Sequence, residues 1–158
     1  MNTDYSDKIR NIAINTFEIT CYMFPIEEWE VEDYTDLDQP DGSVRSIVSF
    51  DGAAVGGMVI TPSAELLSAM AINMLGVEEA DEELKQGALC EVANIICGNT
   101  VPLFAKNNNI CYIRPPRIAE EHEDTDRTFE GMHKESLSVF LDEGIAEILI
   151  YYSEEVKV

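Results

Sequence analysis

The chain has 158 residues, 46% of them hydrophobic and 8% aromatic, which is enough to bury one globular core and predicts a single domain over 1–158. Against 10 Lys and Arg stand 31 Asp and Glu, and the resulting charge of −21 repels phosphate backbones and anionic lipid, so no nucleic acid and no membrane surface is expected as a partner. No apolar run approaches the roughly 18 residues of a membrane span, and the start MNTDYSDKIRN lacks the apolar stretch of a signal peptide, which predicts a cytoplasmic protein.

Residues 6 to 24 carry Ile9, Ile12, Ala13, Thr16, Phe17, Ile19 and Met23 at helical spacing and stop before Pro25, so an opening helix is expected. The acidic stretch that follows alternates Trp29, Val31, Tyr34 and Leu37 among carboxylates, the pattern of an edge strand over 29–38 whose charges discourage pairing with strangers. Residues 43–50 and 54–60 read as an antiparallel hairpin turned at Asp51-Gly52. Thr61 then serves as the cap of a helix with Pro62 at its first position; Leu66, Leu67, Met70, Ala71, Met74 and Leu75 line its inner side and Gly76 closes it.

A second helix is predicted from Asp81, whose carboxylate can cap free N–H groups, to at least Cys97. NNNICYIRPPRI supplies a turn and a short strand stopped by Pro115 and Pro116, and AEEHEDTD (119–126) reads as a solvated acidic loop. SLSVFL and IAEILIYY form a closing hairpin across Asp142-Glu143-Gly144, with Leu137, Val139 and Leu141 on its buried face. The four cysteines, at 21, 90, 97 and 111, show no Cys-x-x-Cys pair and read as reduced, small buried hydrophobes; Cys90 and Cys97 lie two helical turns apart but lack the further ligands of a zinc site.

The helix from 81 raises the functional question. Taken at 100° per residue, Leu84, Ala88, Leu89, Val92, Ile95 and Ile96 gather into an apolar stripe, while Gly87, Glu91, Asn94 and Gly98 fall on one line of the opposite side. Two glycines inside a helix cost about 1 kcal/mol each against alanine, which close approach of another surface would offset. The plain alternative is that Gly87 allows close packing within the protein, Gly98 starts a kink completed at Pro102, and Glu91 and Asn94 are ordinary solvated residues; spacing alone favours this plain reading. No histidine, paired carboxylate, phosphate-binding glycine loop or cation beside Cys90 or Cys97 points to a self-contained active site. An outward amide and carboxylate can instead complete a partner's site, the amide by positioning a water and the carboxylate by pairing with a lysine.

GAAVGGMVITPSAELLSAMAINMLG, VEEADEE, ALCEVANIICGN and YIRPPRI together resemble the CheX branch of the CheC, CheX and FliY chemotaxis phosphatases. Glu-x-x-Asn followed by Ile-x-Gly-Asn is the most specific element. The resemblance implies an α/β fold, CheC-like, with a mixed, largely antiparallel sheet and two long helices packed on it. It further implies a homodimer whose helix enters the active site of a phosphorylated CheY-like receiver domain. Asn94 would orient the attacking water and Glu91 would hold the receiver's lysine, with Gly87 and Gly98 bordering the contact. The chain would need no cofactor of its own, the Mg2+ belonging to the receiver. Departures from the family pattern are Gly87 in place of a serine or aspartate, a downstream proline at 116 that is one residue short of the usual spacing, and Pro102, which interrupts a helix that is uninterrupted in relatives. A non-enzymatic receiver-binding or dimerisation module of the same fold is the alternative.

Overall fold

A computed structural model describes residues 3–27, 29–30, 40–104 and 110–154. The opening helix, α1 (Thr3–Cys21), is built on Ile9, Ala13, Phe17 and Cys21, an i, i+4 line with no exposed surface. Ile19 leaves the predicted stripe and faces water, because two residues beyond Phe17 it lies about 200° further round the helix. The helix ends before Pro25: Tyr22 takes φ 57 and turns the chain so that Met23 still reaches the core. The expected edge strand over 29–38 lies outside the described residues except for Trp29 and Glu30, which adopt 3-10 conformation.

β1 (Ser46–Gly52) and β2 (Ala54–Pro62) form the expected antiparallel hairpin. Its reversal falls at Ala53 rather than at Asp51-Gly52. Asp51 and Gly52 remain in β1 and pair with Tyr112 and Cys111, and Gly52, at φ 106, bends the chain beside the Ile110 carbonyl where a Cβ would not fit. α2 (Ala64–Leu75) starts two residues later than expected, since Thr61 and Pro62 stay in the sheet opposite Glu147 and Ala146. Ser63 stands at the cap, but its hydroxyl accepts from the Ile145 N–H at 3.2 Å and ties the helix start to the closing hairpin. Gly76 closes α2 in the left-handed conformation, as its position predicts.

α3 (Glu82–Thr100) is followed by a 3-10 turn at Val101–Leu103, so Pro102 lies just past the helix instead of kinking it. Next come β3 (Cys111–Ile113), β4 (Arg117–Ile118), the short α4 (Thr125–Thr128), and the closing hairpin β5 (His133–Leu141) and β6 (Gly144–Glu154). The sheet order is β3-β1-β2-β6-β5 with β4 also paired to β1, and every pairing among these strands is antiparallel.

The two faces of this sheet are covered differently. Val48, Phe50, Met58, Ile60, Leu137, Val139, Ile148 and Ile150 pack with the inner residues of α1, α2 and α3 into the main core. Ile47, Val59 and Tyr151 point the other way and meet Phe129, which stacks on Tyr151 at 4.9 Å between ring centroids. Gly57 gives Phe129 its place, because a Cβ there would run into the ring. The acidic loop holds this cover down. Asp124 caps α4 through the Asp126 N–H at 3.1 Å, Asp126 accepts from the Tyr151 hydroxyl at 2.6 Å and pairs with Lys134 at 2.8 Å, and Glu123 receives both terminal nitrogens of Arg117 at 2.7 and 2.8 Å. Carboxylates whose expected role was solvation therefore fasten the loop.

Candidate functional site

α3 begins where its capping residue predicts: Asp81 Oδ1 accepts from the Leu84 N–H at 2.9 Å, and Glu82 and Glu83 occupy the first turn at the positive end of the helix dipole. Ala88, Leu89, Val92, Ala93, Ile96, Cys97 and Thr100 are buried, which fixes the rotation of the helix about its axis. That rotation turns Gly87 and Glu91 into water and leaves Asn94 and Gly98 half-exposed. The four predicted residues thus share one open line, about 16 Å long at 1.5 Å per residue.

No hydrogen bond or ion pair joins the side chain of Glu91 or Asn94 to another described residue. Asn99 is different: its amide donates to the Ile95 carbonyl of its own helix at 3.0 Å. The glycines are equally uncommitted. A Cβ at Gly87 would meet nothing within 4 Å, and one at Gly98 would touch only Ile113 Cδ1 at 3.8 Å, an ordinary contact. Close packing inside the protein therefore does not explain Gly87.

Leu84 corrects the predicted stripe. It is exposed, because it precedes Glu91 by seven residues and so lies within about 20° of it around the helix. Ile95, one residue beyond Asn94, is half-buried on the same flank. The outward surface is therefore a carboxylate and an amide bordered by two glycines and a leucine, and an angular plot carried to the first turn would have placed Leu84 there.

Cys21, Cys90 and Cys97 offer no competing chemistry. Burial pushes Cys97 up to about 12, helped by the nearby Cys111 thiol, and burial alone pushes Cys21 up to about 12 and raises Cys90. Nucleophilic attack needs the thiolate, which such groups do not form near neutrality. Among the described residues no group of three or more His, Cys, Asp or Glu side chains is gathered to hold a metal.

An antiparallel sheet with α1, α2 and α3 packed on one face, and with a Glu and an Asn on α3 that have no partner among the described residues, is the fold of the CheC-like class. Residues 44–137 match the family model described as chemotaxis phosphatase CheX, and the chain belongs to that family. Solved structures share the fold at low identity. A chain from the CheX-CheY-BeF3-Mg2+ complex of Borrelia burgdorferi is 22% identical with a TM-score of 0.68, covering 97% of this chain and 100% of its own. CheX from Desulfovibrio desulfuricans is 14% identical with a TM-score of 0.69, covering 95% and 99%. CheX from Vibrio vulnificus is 18% identical with a TM-score of 0.66, covering 94% and 96%. No curated protein sequence matches the chain.

Proposed function

We propose that this protein accelerates hydrolysis of the aspartyl phosphate on a CheY-like response regulator by laying α3 into the receiver's active site. The observation that carries this reading is the Glu91 and Asn94 pair, without partners among the described residues on a line bordered by glycines, in a chain of the CheX family. Asn94 accepts a hydrogen bond from a water and directs the water's lone pair at phosphorus; the phosphorus–oxygen bond to the aspartyl group breaks, leaving a carboxylate and inorganic phosphate. Glu91, one turn away, pairs with the receiver's lysine and fixes the register of the helix. Leu84 supplies an apolar anchor at one end. The Mg2+ belongs to the receiver, in keeping with the Borrelia complex, whose components are CheX, CheY, BeF3 and Mg2+. The protein works in the cytoplasm as a homodimer, each protomer offering one such helix.

Timing phosphate loss from a panel of phosphorylated receivers tests the proposal. Wild type shortens the lifetime of its cognate receiver, and Asn94→Ala reduces that acceleration about 100-fold, the scale of losing one positioned reactant. Equal lifetimes with wild type and Asn94→Ala for every receiver would overturn it. Binding without acceleration would instead leave a receiver-binding module. Sedimentation of the purified protein tests the dimer.

A further inference from the structure

α1 runs along one edge of the sheet. Ser6 donates to Glu135 at 3.1 Å and Arg10 Nε to the Ser138 carbonyl at 3.5 Å, so the helix follows β5, the last strand of the sheet order. The closing pair Leu141 and Gly144 sets the alternation of the hairpin: Leu137, Val139 and Leu141 spend their backbone groups on β6, while Ser138 and Phe140 turn theirs to the outer edge. The chain after α1 takes up part of that edge, the Ile26 N–H reaching the Phe140 carbonyl and the Asp142 N–H the Phe24 carbonyl, both at 2.9 Å. No described residue accepts from the Ser138 or Phe140 N–H.

Between α1, the 25–26 segment and β5 lies a cleft of about 260 Å³, in which Ile14, Pro25, Ile26 and Phe140 surround Arg10 and Ser138. In a chain of charge −21 this lining holds a guanidinium and no carboxylate. A guanidinium carries five N–H donors, yet the two contacts that Arg10 makes among the described residues are both 3.5 Å long, at the far limit of a hydrogen bond. The second of these is to Asp7, whose side chain is 74% exposed, so the pair is weak. Other carboxylates of these segments have donors of their own: Glu135 accepts from Ser6, Asp142 from the Phe24 N–H at 3.2 Å, and Glu30 from the Glu27 N–H at 3.2 Å. Glu18, one turn past Ile14, lies outside the lining.

We propose that this cleft binds a small aliphatic carboxylic acid, its carboxylate bridging the Arg10 guanidinium and the N–H groups of Ser138 and Phe140 while its chain lies against Ile14, Pro25 and Ile26. The volume equals that of about nine waters at roughly 30 Å³ each, which suits an acid of about six carbons and is too small for a peptide. None of these residues lies on α3, so the site is separate from the receiver-docking line.

The full chain, labelled with nitrogen-15, is titrated with hexanoate, with hexanamide, which keeps the shape without the charge, and with acetate, which keeps the charge without the chain. Hexanoate shifts the Ser138 and Phe140 amide resonances saturably, and each of the other two binds about tenfold more weakly. Arg10→Gln loses about tenfold in affinity for hexanoate as well. Because that substitution also loosens α1 from β5, Asp7→Asn supplies the complementary test: it removes the exposed carboxylate that competes for the guanidinium, and hexanoate binds more tightly. No saturable shift with hexanoate, equal binding of hexanamide, wild-type affinity in Arg10→Gln or no gain in Asp7→Asn would overturn the proposal. Tenfold tighter binding of a peptide ending in leucine would overturn it in favour of strand addition along β5, and an affinity that falls as protein concentration rises would overturn it in favour of contact between two copies.

Discussion

Asn94 and Asn99 sit on the same helix, yet among the described residues only Asn99 spends its amide on a carbonyl. Substituting each by alanine therefore separates a positioned amide from a helix-surface one: Asn94→Ala reduces the acceleration of receiver dephosphorylation about 100-fold, while Asn99→Ala leaves it within about twofold, as befits an exposed substitution. Gly87 makes a complementary prediction. With nothing within 4 Å of the missing Cβ, Gly87→Ala stabilises the protein by about 0.5–1 kcal/mol through helix propensity, read as a higher urea midpoint at unchanged slope. Gly87→Gln also leaves the fold intact, but it places a long side chain on the docking line and slows phosphate loss from the receiver. A Gly87→Gln protein with full receiver activity would show that no surface approaches there.

At the scale of elements, the acidic loop is a fastening whose strength depends on pH. Arg117, donating to both oxygens of Glu123, holds that carboxyl near about 2, well below its ordinary 4.5. The unfolded chain takes up this proton near the ordinary value and the folded chain only near the lower one. Stability from the pair is thus complete above about 4.5 and lost as pH falls towards about 2. Because Arg117 is half-exposed, solvent screening limits the effect to about 1–2 kcal/mol. Urea unfolding of wild type and Glu123→Gln across pH 5.5 to 2.5 should show the wild-type advantage shrinking by that amount; an advantage independent of pH would assign the pair no role. This loop also marks where the sequence stopped being legible. α3 announces itself through Asp81 and a long apolar period, and the closing hairpin through Leu137, Val139 and Leu141. β4 has two residues and α4 four, too few for any period to appear, and the roles of Glu123, Asp124 and Asp126 depend on partners that only the fold brings near. The helix cap was misplaced by two residues for a related reason: Thr61 and Pro62 carry the local signature, but pairing with β6 keeps them in the sheet. Glu91, Asn94 and the two glycines were legible because a single helical rotation fixes all four, and Leu84 was misread because the stripe was drawn one turn too far.

Across the whole molecule, the −21 charge sets the salt response of receiver docking. A receiver active site is rich in carboxylates, and α3 approaches it with Glu91 as the single charge between Gly87 and Gly98, so the repulsion that slows the encounter comes from the remainder of the surface. Raising ionic strength from 0.01 to 0.15 M shortens the screening length from about 30 to about 8 Å. That step removes the long-range repulsion while leaving contacts at the docked helix little changed. Stopped-flow association with the phosphorylated receiver should therefore speed up several-fold while dissociation stays nearly constant. Receiver association that slows with added salt would mean that local complementarity around Glu91 outweighs the net charge, and the docking geometry would then have to bring Glu91 to the receiver's lysine before the two acidic surfaces meet.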